Sequence, residues 1–503
     1  MNSSYDPKTG SHFAFFGGFS LRNTLQGGFS GEKRAKKYGA DKIALLGIFI
    51  AALLAARFVV TLRSGVVLSE PIKLDYAGLS VSLPAGNGWQ SEKQWRYEKD
   101  GFVLSSFFDT CSGSISALAR CRYLLAAPEV VPDVVFKEKA LKIDGAITET
   151  GQAQTDRGGR LFSKVPLIID WVHIKKPKTL LDTFFGITRL PNGRQFDIEV
   201  YQTTGDAEFA KGVFEDIVGS LEFEGNRLLD VGSEIIAAIK SKGLSSFLAT
   251  AGDKQGQEDF FLIKDNRGQS IGFTMDVLVS SAEGLQSEAS FSPTMPEAQL
   301  NIHGMSLYYI RGRYAREQVI FFQSTDNLDE FVWKSEVSSS AGKSATEVFL
   351  GEDRMMTVRK YGVRAKEKNY KFGPMSIPVF FGELTFGQML DSDRKEIFVD
   401  VIDADGTILP TLVSRVDAKD IAANEEAAYI FGVELLDGSG ISQRIYLDEQ
   451  GQISKKILRQ AGRYTIERAS IESILRQFPE RADYILQKNK MLEQNPLQGN
   501  SKW

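Results

Sequence analysis

The sequence predicts an α+β chain: a single N-terminal transmembrane helix, then an α+β domain, then a mainly antiparallel β domain with C-terminal helices. Three observations lead there. An apolar run, 43–62, follows a cluster of basic residues. Between residues 71 and 225 a period-two strand, a Pro-Asn-Gly hairpin and an amphipathic helix occur in order. From residue 255 to 470, short apolar runs are separated by Asp-x-x-Gly turns, the rhythm of consecutive hairpins. A chain of 503 residues is long enough for two or three cores.

The run 43–62 reaches roughly 30 Å as a helix, the thickness of a bilayer core. Arg57 interrupts it near the far end, where it can snorkel to the headgroups. Lys33, Arg34, Lys36, Lys37 and Lys42 precede it, so the positive-inside rule puts the N-terminus in the cytoplasm. The expected location is the inner (plasma) membrane with the bulk of the chain extracytoplasmic. The alternative is a signal peptide cleaved after Leu54-Ala55-Ala56. The apolar continuation Phe58-Val59-Val60 favours an uncleaved anchor.

Residues 1–42 carry Gly-Gly-Phe-Ser twice and read as a disordered cytoplasmic tail. They hold about +4 of charge, which leaves about −8 on the rest of a chain of net charge −4. A mildly acidic body argues against nucleic-acid binding. Cys111 and Cys121 suit a disulfide in an oxidising compartment. However, 114–125 reads as helical, and ten residues of helix hold two Cα atoms about 15 Å apart, too far for a bridge unless Cys111 folds back. The alternative is two unpaired thiols, one of them buried.

In the 71–225 region, Leu79, Val81 and Leu83 alternate with serines up to Pro84, and Trp89 follows. Apolar segments 185–190 and 196–201 flank Pro191-Asn192-Gly193. A helix from Asp206 carries Phe209, Val213, Phe214, Ile217 and Val218 on one stripe, and Ser220-Leu221-Glu222-Phe223 closes the region. These two ends resemble the PsbP-like proteins, which implies an α-β-α sandwich and a group of assembly and scaffold factors rather than one chemistry. A helix over 228–250, apolar at Leu228, Leu229, Ile235, Ile236 and Ile239, is expected to link this domain to the next. Within 255–470, turns fall at Asp265–Gly268, Asp403–Gly406, Asp437–Gly440 and Asp448–Gly451. The closing runs 444–447, 453–458 and 464–467 resemble the last hairpins of LolA-like periplasmic proteins. That resemblance implies a curved, half-open antiparallel sheet around an apolar groove. Two short helices over 471–493 finish the chain, the second opened by Pro479.

Candidate chemistry thins out on inspection. Ser340-Ala341-Gly342-Lys343 matches the S-x-x-K nucleophile motif but sits in a Ser/Gly loop without its partner motifs. Gly342-Lys343-Ser344 ends like a phosphate loop, but Val337 stands where glycine is required. Asp400, Asp403, Asp405 and Gly406 suggest a calcium loop, yet the distal Glu is missing and a hairpin turn explains them better. His12, His173 and His303 lack metal-ligand spacing, and His173 beside Trp171 reads as a packed strand residue. No catalytic, cofactor-binding or metal-binding residue is assigned, and an enzyme is disfavoured.

The remaining site-like feature is electrostatic. Arg354, Arg359, Lys360, Arg364, Lys366, Lys368 and Lys371 gather with Tyr361 and Tyr370, and Arg311 and Arg313 gather with Tyr308, Tyr309 and Tyr314. Arg and Tyr together suit an anionic partner surface; a solvated hairpin face balanced by Glu352, Asp353 and Glu367 is the plainer reading. The function expected is that of a single-pass, membrane-anchored binding or scaffold protein of the cell envelope with a protein partner there. The alternative is a lipid- or lipoprotein-handling module with a lipid ligand in an apolar groove of the C-terminal β domain.

Overall fold

The computed structural model describes residues 66–487, apart from 87, 99, 110–114, 128–130, 156–165, 178, 250–256, 282–294, 296–297, 313, 341, 362–364, 417–426 and 460–462. The first part opens with β1 (Ile72–Leu74) and β2 (Leu79–Val81). It continues with β3 (Trp89–Ser91), β4 (Arg96–Glu98), β5 (Gly101–Asp109) and β6 (Ile115–Leu124). Helix α1 (Pro132–Lys142) leads to β7 (Ala146–Gln154), β8 (Ile168–Lys175), β9 (Asp182–Arg189) and β10 (Gln195–Gln202). Helix α2 (Ala207–Ser220) and β11 (Glu222–Phe223) close it. The sheet runs β3-β5-β6-β10-β9-β8-β7 with β4 also on β5, while β1, β2 and β11 form a small sheet of their own.

Alternation along β9 explains how this sheet is covered. Phe185 points to Phe136 of α1, ring centroids 6.2 Å apart, and Phe184 points the other way to Phe214 of α2, at 6.3 Å. Asp206 caps α2 by accepting from the Phe209 amide at 3.0 Å, and Val213, Phe214, Ile217 and Val218 are buried as their spacing requires. The hairpin at Pro191-Asn192-Gly193 joins β9 and β10, with Gly193 at φ 77°.

Helices α3 (Arg227–Lys242) and α4 (Leu244–Ala249) lead into the larger sheet. Strands β12 (Gln257–Lys264), β13 (Ser270–Ser281), β14 (Leu300–Ile310) and β15 (Tyr314–Ser324) step outward as hairpins. They are followed by β16 (Phe331–Ser339), β17 (Gly342–Leu350), β18 (Met355–Tyr361) and β19 (Lys366–Lys371). The chain then crosses to the other edge with β20 (Ser376–Pro378), a 3-10 turn at Val379–Phe381 and α5 (Leu384–Asp391). From there β21 (Glu396–Ile402), β22 (Ile408–Arg415), β23 (Tyr429–Leu435), β24 (Ser442–Leu447), β25 (Ile453–Arg459) and β26 (Arg463–Arg468) step back until β26 pairs with β12. The result is a 15-stranded sheet in the order β19 to β12, then β26 to β20. Helix α6 (Ile471–Gln477) and the turn at Pro479–Arg481 lie on its outer face, where Ile474, Phe478 and Ile485 pack on Phe273, Met305 and Leu307.

A sheet this long must curl. Its two arms meet: Trp333 Nε1 of β16 donates to the Ala404 carbonyl at 3.2 Å, and Lys360 of β18 reaches Asp405 at 2.6 Å. The enclosed face is filled. Phe322, Phe331, Trp333, Val348 and Met356 are buried against Phe380, Phe381, α3 and α5. The described residues from Val66 onward form one compact unit.

These observations correct the fold class read from the sequence. The described chain is mostly antiparallel β sheet, 51% strand to 20% helix, rather than α+β with a transmembrane helix and an α/β sandwich domain. Among the described residues no helix is long and apolar enough to cross a membrane. The run 43–62 lies outside them. Part of the reason is visible in β6, expected as a helix. Ala117, Ala119, Cys121 and Tyr123 alternate inward while Arg120 and Arg122 alternate outward. Pairing with β5 on one side and β10 on the other overrides the helix propensity of Ala, Leu and Arg.

Candidate functional site

The basic hairpin β18–β19 is where the sequence placed the anionic-partner surface. Most of its described cations find a nearby acid or ring. Arg354 occupies the turn before β18 at φ 59°, 3.6 Å from Asp329. Arg359 pairs with Glu367 at 2.8 Å, and Lys368 pairs with Asp100 at 3.1 Å. Lys366 is exposed, and Lys371 bonds through its amide to the Ala126 carbonyl at 2.8 Å. Arg364 and Arg313 lie outside the described residues. Arg311 sits apart, on the outer face, bound to Glu480 at 2.8 Å and the Gln477 carbonyl at 2.6 Å and lying over the Phe478 ring. The two sequence clusters are therefore separate, and Arg311 holds the C-terminal turn in place. Pairs this exposed are worth little: Arg359→Ala is expected to change stability by less than about 1 kcal/mol, read from a urea midpoint.

Lys240 of α3 joins this region. Its amine lies 5.0 Å from the centre of the Phe372 ring, which Arg354 also covers at 5.4 Å. Burial, helped by the Arg354 charge, pushes its pKa down to about 8. Because the folded value lies below the unfolded one, stability rises as pH climbs from about 8 towards the ordinary lysine value. At pH 8 Lys240 is expected to be acetylated several-fold faster than exposed Lys366, by peptide mass spectrometry. Equal rates would contradict it.

Sequence reasoning missed the cluster that joins the two large sheets. Arg194, after the Pro-Asn-Gly hairpin, forms a buried ion pair with Asp400 of β21, and its guanidinium lies 2.9 Å from Met375 Sδ. Tyr76 donates to Asp400 at 2.6 Å, and Asn192 donates to Tyr123 at 3.1 Å. Burial and the Asp400 charge push the Tyr76 pKa well up, and burial pushes Tyr123 up to about 12. Burial alone would lower Arg194, but Asp400 outweighs it and the net shift is upward. The signal was present: Asp400 is the one charge between Ile397 and Ile402, and a lone acid in an apolar strand needs a partner.

The other sequence candidates resolve as follows. Ser340 lies in the β16–β17 hairpin turn, not at a helix start. Asp403 and Asp405 form a hairpin turn closed by Gly406 at φ 77°, and Asp400 faces away into the Arg194 cluster. Among the described residues no three His, Cys, Asp or Glu could hold a metal ion. Cys121 is buried opposite Leu104, where burial pushes its thiol pKa up; Cys111 and His12 lie outside the described residues. His303 is buried and stacked on Phe321 at 4.5 Å. His173 is bonded on both ring nitrogens: Nδ1 is 2.8 Å from Thr148 Oγ1, and Nε2 is 2.9 Å from Asp182 Oδ1. That chain is not legible in the sequence, because its members come from three strands.

Two described clefts are on outer surfaces. One of about 510 Å³ lies beside α1 and is lined by Leu167, Asp170, Ile187, Arg189 and Gln195. Another of about 340 Å³ lies between the outer face of β13–β16 and the C-terminal segment, at Tyr309, Glu317, Arg481 and Tyr484.

No family model matches the chain, and no curated protein matches it. Among solved structures it is similar to a beta-barrel-like protein of a domain of unknown function, DUF1849, from Brucella abortus. The match is 10% identical over 42% of this chain and 94% of that one, with a TM-score of 0.29.

Proposed function

We propose that the chain is a binding or scaffold protein of the cell envelope, attached to the inner membrane through its N-terminal segment and working through outer surfaces. The observation that carries this reading is the filled enclosed face of the large sheet. Trp333, Phe331 and Met356 are fully buried there, so the working surfaces lie outside. The same filling counts against a lipid held in an apolar groove. The basic flank Lys33–Lys42 and the apolar run after it support the membrane attachment.

The test is capture of the full-length protein from crosslinked membranes, with mass spectrometry of co-purifying proteins and lipids. A stoichiometric protein partner is expected, together with protease access to the body only from outside the cytoplasm. A lipid retained in stoichiometric amount with no protein partner would overturn the reading. Charge reversal at Lys366 and Lys368 asks whether the basic hairpin is the contact: partner yield falls if it is and holds if another face serves.

A further inference from the structure

The geometry points to an acyl-transfer site at one end of the eight-stranded sheet, with Thr148 as nucleophile, His173 as general base and Asp182 as its positioning residue. Strand register brings the parts together: Ala146 pairs with Lys175, Lys175 with Asp182, and Asp182 with Gln202, so β7, β8, β9 and β10 end side by side. Thr148 lies at a bulge. Ile147 pairs with Ile174 and Glu149 with His173, which leaves Thr148 without an opposite residue and re-aims its side chain.

The hydrogen-bond order suits base catalysis. Asp182, 1% exposed, accepts from Nε2 of His173 and so fixes the tautomer that leaves the Nδ1 lone pair facing the Thr148 hydroxyl at 2.8 Å, nearer than the His173 carbonyl that the same hydroxyl reaches at 3.2 Å. The ring is held flat on Phe184, centroids 4.4 Å apart and 2° from parallel. Thr148 is exposed, so an incoming acyl group can reach it. The second oxygen of Asp182 and Nε2 of its cross-strand neighbour Gln202 are both buried without a partner among the described residues, so this end of the chain holds polar groups that the fold leaves unsatisfied.

Strand β7 is the outer strand of the sheet, so alternate backbone N–H groups point away from β8 beside Thr148. They supply donors for the oxygen of a tetrahedral intermediate. The substrate class is a neutral carboxylic ester. Exposed Ile147 and Leu180 flank this end, and the nearby Glu149 is already paired with Lys211 at 3.2 Å.

In the reaction, Thr148 Oγ1 bonds to the ester carbonyl carbon while its proton passes to Nδ1. Collapse breaks the bond to the alcohol, which leaves with that proton. Water, deprotonated by His173, then cleaves the acyl-threonine, releasing the carboxylic acid and restoring the hydroxyl. The net change is ester plus water to acid plus alcohol.

The experiment treats the full-length protein with a fluorophosphonate probe, in which an Oγ–P bond replaces P–F and fluoride leaves. Peptide mass spectrometry locates the adduct, and hydrolysis of a short p-nitrophenyl ester is followed in parallel. Expected are an adduct on Thr148, its retention in Thr148→Ser, and its loss in Thr148→Val with an unchanged melting temperature. Labelling should slow about 100-fold in His173→Phe, which preserves the stack, and in Asp182→Asn. No adduct on Thr148 of the folded wild type, or equal rates in wild type and Asp182→Asn, would overturn the assignment.

Discussion

Arg194→Met is expected to cost about 3–5 kcal/mol of stability, because it leaves Asp400 charged and buried with no cation beside it. Asp400 is 0% exposed, and its remaining described side-chain partner is the Tyr76 hydroxyl. Asp400→Asn should cost less, since an amide can still meet Tyr76. The double variant Arg194→Met with Asp400→Asn should recover a large part of the Arg194→Met loss, as removing both charges also removes their desolvation. Urea unfolding followed by tryptophan fluorescence reads all three. If Arg194→Met costs no more than Arg359→Ala, the cluster does not hold the sheets together. A second signature follows from its position. Arg194 follows a hairpin of the first sheet and Asp400 lies in the second, with Tyr76 also 5.2 Å from Phe398. Loss of the pair should therefore loosen the junction, and limited proteolysis near residues 225–227 should speed up in Arg194→Met while cuts elsewhere do not.

Local chemistry was legible wherever a turn or a stripe decides the structure. Asp265–Gly268 shows why: Asp265 Oδ1 accepts from the amides of Arg267 and Gln269, and Gly268 takes φ 76°. The same Asp-x-x-Gly pattern recurs at Gly406, Gly440 and Gly451, each with positive φ, and each turn joins the strands expected around it. The helix at Asp206 was legible because capping and burial coincide in it. What failed was the class as a whole. In the first part of the chain β6 looks helical until its pairing with β5 and β10 is known.

The site was less legible, and for a different reason. Basic residues cluster visibly in sequence, but their acids do not: Lys368 meets Asp100, 268 positions away, and Lys360 meets Asp405 across the closed sheet. A cluster of like charge in one segment says nothing of what another segment brings to it. The Thr148, His173 and Asp182 chain is hidden in the same way. His173 could be weighed only as a single residue beside Trp171, whereas its chemistry depends on a bulge in β7 and on the first residue of β9.

Gly232→Ala tests the packing that fills the large sheet, and it should destabilise although alanine is the better helix former. Gly232 sits inside α3, where alanine would gain about 1 kcal/mol of helix propensity. A Cβ placed there would lie 1.9 Å from the Phe398 carbonyl oxygen of β21, far inside contact distance. That oxygen belongs to the backbone of a paired strand, so it cannot swing aside like the end of a flexible side chain. The helix must lift instead, and Leu229, Ile235, Ile236 and Ile239 lift with it from the buried face. The expected net loss is about 1–3 kcal/mol, seen as a lower urea midpoint with hydrogen exchange accelerated in both α3 and β21. Gly212, on α2 with open space around its Cβ position, is the control: Gly212→Ala should stabilise by the propensity alone. If the two variants shift stability in the same direction, α3 is not pressed against β21 as described, and the filled face of the sheet loses its principal support.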